Sequence, residues 1–145
     1  MSGLGLVGVG YEGRTIDDLI GHLLALGVTR LVDVRLNAIS RKPGFSKTAL
    51  ANALGDAGIS YVHQREFGNP KASRAGFAGD DAELAEARAA FSALLQRSEA
   101  VDALDALAQA SLQEGVAVLC FEADQRRCHR DVVLAEAQRR GASVA

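Results

Sequence analysis

Apolar residues are arranged in two ways along the chain: in short unbroken runs, and in longer stretches where they recur every three or four positions. Runs of the first kind occupy residues 4–9 and 116–121, and two mixed stretches, 30–35 (RLVDVR) and 59–63 (ISYVH), go with them. They are too short for helices, are bounded by glycine or charged residues, and read as strands buried on both faces of a sheet. The second pattern begins after a glycine-rich turn. Ile16, Leu19, Ile20, Leu23 and Leu24 share one helical face, Thr15 offers an N-cap with Asp18 three residues on, and Gly27 ends the run. Further helices are expected over residues 46–57, closed by Gly58, over 81–113 as two helices broken near Ser98, and from His129 onward.

Strands that alternate with helices predict an α/β fold: a three-layer, Rossmann-like domain with a mainly parallel four-stranded sheet and helices on both faces. Right-handed crossovers suggest strand order 3-2-1-4, with strand four returning beside strand one across the long double-helix connection. Ligands of such sheets bind beyond the carboxyl ends of the strands, at a switch point. In this order the turns 10–14 and 120–130 flank one crevice, with Asp33 and Arg35 beside it. Residues 64–80 form the longest irregular stretch, and long ordered loops are usually functional or mobile.

Two turns carry most of the chemistry. Gly8, Gly10 and Gly13 spell G-x-G-x-x-G between a strand and a helix, with Asp33 about 20 residues on, the pattern of a dinucleotide site. Tyr11 and Glu12 place bulk and an acid where a pyrophosphate would lie. What remains is an anion site at the helix N-terminus, built from Gly10, Tyr11, Gly13 and Arg14. The second turn runs from Cys120 to Arg130. Cys120, five residues, then Arg126 matches a thiol-phosphatase spacing, but Glu122 and Asp124 inside the loop would repel phosphate. Cys128-His129-Arg130-Asp131 opens a helix, where the dipole and Arg127 and Arg130 favour thiolate, and where His129 can transfer protons. The candidate catalytic residues are therefore Cys128, His129, Glu122 and Asp33. Arg35, Arg41, Lys42 and Arg130 join the glycine-rich turn as ligand-binding residues. Spacing alone supplies no paired metal ligands, so no metal site is expected, and no motif names a cofactor.

The 145 residues suit one domain, and 48% hydrophobic with 23% charged residues is ordinary globular composition. A net charge of −2 excludes a protein that binds nucleic acid through bulk charge. Eleven of the sixteen Lys and Arg nonetheless fall in or just after loops that follow strands, which predicts a cationic edge on an acidic body. No run is long enough for a membrane span, and the N-terminus lacks the basic start of a secretory signal. Two cysteines without an export signal suggest a reducing, cytoplasmic setting.

The motifs together resemble the domain of unknown function 488 family over nearly the whole length. They are VGVGYEGR at 7–14, LVDVR at 31–35, SRKPGF at 40–45, YVH at 61–63 with EFG at 66–68, and LCFE at 119–122 through CHR at 128–130. Phe67 departs from the leucine expected in that E-x-G segment. The resemblance implies a small α/β domain and no defined activity. The residues themselves suggest binding or processing of a phosphorylated small molecule, of nucleotide or nucleotide-sugar type, at the carboxyl edge. Two other readings stay open: a nucleic-acid-binding accessory domain using the basic edge, and a thiol redox sensor through Cys120 and Cys128.

Overall fold

A computed structural model describes residues 4–145. Met1–Gly3, the start of the segment read for a secretory signal, lie outside the described residues. The elements are β1 (Gly5–Gly10), α1 (Ile16–Ala25), β2 (Val28–Asp33), α2 (Lys47–Asp56), β3 (Ser60–His63), α3 (Asp81–Leu94), α4 (Ser98–Ser111), β4 (Gly115–Cys120) and α5 (His129–Arg139). The expected elements are all present, with ends moved by a few residues. Thr15 caps α1 as its sequence suggests: its hydroxyl accepts from Asp18 N–H, and the Asp18 carboxylate accepts from Thr15 N–H, both at 3.1 Å. Asp80 and Glu83 build a second capping box at α3. Residues 64–80 are not structureless; they hold three short 3-10 turns, Arg65–Phe67, Lys71–Ser73 and Ala75–Ala78. No helix among the described residues is long and apolar enough to cross a membrane.

All four strands are parallel, in the order β1-β4-β2-β3. This overturns the expected 3-2-1-4: β4 lies inside the sheet, between β1 and β2. Crossover handedness fixes the face on which a helix lies, not how many strands it steps over. Burial decides the order instead. β4 (GVAVLC) is buried at all six positions and gains most from neighbours on both edges, whereas β1 carries three glycines and is half-buried at Val7, Gly8 and Gly10. The outer edge of β1 is partly covered by residues near the C-terminus. Leu6 N–H donates to Ser143 O, and Ala145 N–H donates to Leu6 O.

The two-residue period of the strands splits the core into two layers. Ala117, Leu119, Leu31 and Val9 pack with Leu19 and Leu23 of α1 and Leu50 and Leu54 of α2. Val116, Val118, Cys120, Val32 and Val34 pack on the opposite face, with residues of α3, α4 and α5. Chain direction across the sheet reverses after β3, so successive helices α1 and α2 share one face and α3 to α5 the other, as right-handed crossovers require. Val34 is thus on the Cys120 side of the sheet, while Asp33 belongs to the layer of α1 and α2.

Candidate functional site

At the carboxyl end of the sheet β4 stops at Cys120, and its last side chain points toward α3–α5. The chain loops through a 3-10 turn at Gln125–Arg127 and enters α5 with Cys128 as the N-cap residue. Cys128 makes no capping bond; its side chain turns inward, where it is 1% exposed. His129 occupies the first position of α5 and stacks edge-on against Phe91 of α3, ring centroids 5.2 Å apart. Its Nε2 lies 2.7 Å from Val34 O, and a carbonyl can only accept, so Nε2 carries a hydrogen. In the neutral ring Nδ1 then presents its lone pair to both cysteines, 3.8 Å from Cys120 Sγ and 3.8 Å from Cys128 Sγ.

The Cys120 thiol donates to Glu122 Oε1 at 3.2 Å. The adjacent Cys128 thiol and burial push the Cys120 thiol well above its ordinary pKa, outweighing the opposing effect of His129. The Cys120 thiol therefore stays protonated near neutral pH and is a weak nucleophile.

This cluster forms one wall of a cleft of about 200 Å³. A second wall is residues 35–37 after β2, and a third is the 64–80 segment, through Asn69, Arg74 and Phe77. The two segments touch closely at Gly68, where an added Cβ would sit 2.5 Å from Leu36 Cα, so only glycine fits there. Arg127 binds the segment to the β4–α5 loop by donating to Phe77 O and Gly79 O at 3.2 and 2.7 Å. Arg74 donates from Nε to Asn69 O at 3.0 Å. Asn69 is 4% exposed, lines the cleft, and has no partner for Oδ1. A buried amide oxygen without a donor costs about 1–3 kcal/mol, which a bound donor would remove.

The residues singled out from sequence divide sharply by place. Cys128, His129 and Glu122 line the cleft, and so does Arg35. Asp33 does not. It is fully buried, accepts from Arg35 Nε and Nη2 at 2.9 and 2.7 Å and from Tyr61 Oη at 2.6 Å, and belongs to an internal network. Burial disfavours the Arg35 charge, but Asp33 and Tyr11 outweigh it and hold the guanidinium protonated; burial and the Asp33 carboxylate push the Tyr61 phenol up. Arg35 Nη1 also donates to Phe45 O at 2.7 Å and to Tyr11 Oη at 3.2 Å.

The glycine-rich turn lies against the β4–α5 loop rather than beside open space. A Cβ on Gly10 would lie 1.9 Å from Glu122 O, and Ala123 N–H donates to Glu12 Oε1 at 2.9 Å. Tyr11 is a core residue stacked on Phe45, ring centroids 4.5 Å apart. Gly13 supplies a turn with φ +77°, and Arg14 is half-buried behind it. Lys42 Nζ donates to Tyr11 O, and Arg41 is exposed. None of Gly10, Tyr11, Gly13, Arg14, Arg41 and Lys42 lines the cleft. Arg130, 2% exposed, donates to Glu122 O and Ala123 O and braces the loop from behind, and its Nε has no partner.

Sequence reasoning left out Asn37, Asn69 and Phe77, and counted Arg74 only among the eleven basic residues of the loop edge. The signal available for Asn69, Arg74 and Phe77 was the length and polarity of the 64–80 segment; which wall it forms depends on the tertiary fold.

The family model described as domain of unknown function DUF488 matches residues 15–137, a span that includes all three walls of the cleft and excludes the Gly8–Gly13 turn. No curated protein and no solved structure matches the chain. With most of its length matched, the chain belongs to the DUF488 family, a domain of unknown function.

Proposed function

We propose that the carboxyl-edge cleft binds a small phosphorylated molecule. The observation that carries this reading is the charge balance of the lining: Arg74 and Arg127 stand against a single carboxylate, Glu122, while the charge of Arg35 is already met by Asp33. In a chain of net charge −2, that local excess of cations selects for an anion. Arg74 and Arg127 each keep guanidinium hydrogens beyond their bonds to backbone carbonyls, and these suit the fork geometry of phosphate recognition. Asn69 Oδ1 offers an acceptor for a hydroxyl or amine of the same ligand. The volume, about 200 Å³, is below the usual range for larger ligands, so a nucleotide or nucleotide-sugar would seat only its phosphate-bearing end. Cys128, His129 and Glu122 are the groups available for proton transfer or attack on such a ligand.

The test is a melting-temperature screen with inorganic phosphate, sugar phosphates, nucleotides and short oligonucleotides. A ligand at about a hundred times its Kd contributes about 2.7 kcal/mol, a rise of roughly 5–10 °C for a chain of this size. Arg74→Ala, an exposed position, should reduce that rise while leaving the unliganded melting temperature nearly unchanged. A rise confined to oligonucleotides and steeply weakened by salt would replace this reading with nucleic-acid binding. No rise with any phosphorylated compound, or a rise unaffected by Arg74→Ala, would refute it.

A further inference from the structure

We infer that Cys120, Cys128 and His129 form a binding site for one zinc-class divalent ion, with a fourth coordination position facing the cleft. Cys120 Sγ, Cys128 Sγ and His129 Nδ1 all lie within 4.8 Å of one another, and all three residues are buried. Tetrahedral zinc, with Zn–S near 2.3 Å and Zn–N near 2.05 Å, needs N···S separations of about 3.6 Å. The two observed N···S separations are both 3.8 Å, a few tenths of an ångström from that value, and the two sulfurs, within 4.8 Å of each other, have to approach to about 3.8 Å. The imidazole is already turned for the task. Its Nε2–H is anchored on Val34 O, the kind of outer bond that fixes the tautomer and aims the other nitrogen at a metal.

The donor set decides the class of ion. Two thiolates and one imidazole suit zinc and its borderline-soft neighbours rather than magnesium or calcium, which prefer oxygen. On binding, each thiol gives its proton to solvent and forms a metal–sulfur bond, so two thiolates neutralise the ion's charge. All three ligands line the cleft, which leaves the remaining position to water or to a ligand atom entering from it. Three protein ligands with an open position is the arrangement of catalytic zinc rather than of closed structural sites. Glu122, bonded to Cys120 in the metal-free chain, stands next to that position as an acceptor for a proton of bound water.

Sequence spacing hides this site. Cys120 and Cys128 are eight residues apart with no paired C-x-x-C, and only the turn between β4 and α5 brings them to one imidazole.

The experiment titrates the full chain, stripped of metal by a chelator under reducing conditions, with Co²⁺ as the spectroscopic probe. One equivalent should produce thiolate-to-cobalt charge-transfer absorption in the near ultraviolet and the strong visible bands of four-coordinate cobalt, and zinc should abolish both. The chain has two cysteines, so a charge-transfer intensity of two thiolates identifies them without any variant. Cys120→Ser and Cys128→Ser should each lose about half of that intensity, and His129→Ala should shift the visible bands. Where a variant fails to fold, the wild-type spectrum still decides. Weak octahedral cobalt absorption with no thiolate band would overturn the site. Cobalt uptake with thiolate bands, but no melting shift with any phosphorylated compound, would keep the metal site and remove the anion reading. The opposite pair of results would remove the metal site alone.

Discussion

Replacing Asp33 with alanine separates a structural role for this carboxylate from a catalytic one. Asp33 is fully buried and Arg35 is 7% exposed, joined at 2.7 Å between Oδ2 and Nη2 and at 2.9 Å between Oδ1 and Nε. Removing the carboxylate leaves a guanidinium with little access to water and only Tyr11 Oη and Phe45 O as acceptors. Breaking a buried pair from one side costs about 3–5 kcal/mol, because the surviving charge is uncompensated. Tyr61 also loses its acceptor, but it is half-buried and water replaces part of that bond. Against a typical total of about 5–15 kcal/mol, this is a large share of the stability. It corresponds to a fall in melting temperature of roughly 10 °C or more. Urea unfolding followed by circular dichroism measures it, with the m-value showing whether the unfolded state has changed. Adding Arg35→Met to Asp33→Ala should recover part of the loss, since a buried pair replaced from both sides costs less than one broken from a single side. A loss below about 1 kcal/mol for Asp33→Ala, or a double variant as unstable as the sum of the two single variants, would refute the network and return Asp33 to the list of candidate catalytic groups.

Three further outcomes follow from the geometry. Gly10→Ala places a Cβ 1.9 Å from Glu122 O, and the β4–α5 loop must move; the expected cost is about 1–3 kcal/mol in thermal or urea unfolding, together with weaker cobalt binding, and a silent substitution would show that the turn is loose. Thr15→Ala removes the α1 cap and should cost about 1 kcal/mol, measured by urea unfolding, with no change in cobalt spectrum or ligand-induced melting shift. Burial alone would raise the pKa of Glu114, but the Thr29 hydroxyl and Arg30 guanidinium outweigh it and hold the carboxylate below its ordinary value. A depressed folded pKa contributes stability above the unfolded value, about 4.3, that is lost as pH falls through the folded one. The stability gap between wild type and Glu114→Gln should therefore shrink as pH drops below about 4.

The α/β class, every strand and helix, and the two polar turns were legible in the sequence because each rests on local physics. Apolar runs of four to six residues bounded by glycine make strands, and Thr15 with Asp18 makes a cap, whatever the rest of the chain does. Strand order was not legible. Right-handed connections permit β4 on either side of β1, and only summed burial places a strand that is apolar at every position in the middle. The glycine-rich turn shows a different limit. Gly10 is required, but by the approach of Glu122 O rather than by a ligand, and a sequence cannot say what lies against a missing side chain. Asn69 was missed because an asparagine between Gly68 and Pro70 looks like an ordinary turn residue until its amide oxygen is found buried and unpartnered.

The corrected strand order is also what assembles the site. Had β1 separated β4 from β2, the end of β2 could not have reached the β4–α5 loop. With β4 inside, Asp33 pairs in register with Leu119, and Val34 N–H continues the ladder by donating to Leu119 O at 3.1 Å. That bond sets the Val34 carbonyl where His129 Nε2 donates to it, and the same backbone carries Arg35 and Leu36 onward as the second wall. The division of the sheet into two layers completes the arrangement. Asp33 and Arg35 are locked on the α1–α2 side by Tyr61, Tyr11 and Phe45, which makes the end of β2 rigid. On the other side His129 takes its orientation from that rigid end, and the two thiols face its free nitrogen. The imidazole is therefore aimed by the Asp33–Arg35 network without touching it, so Asp33→Ala should disturb cobalt binding even at temperatures where the chain stays folded. Unchanged cobalt affinity and bands in folded Asp33→Ala would show that the Val34 carbonyl holds its place without the network.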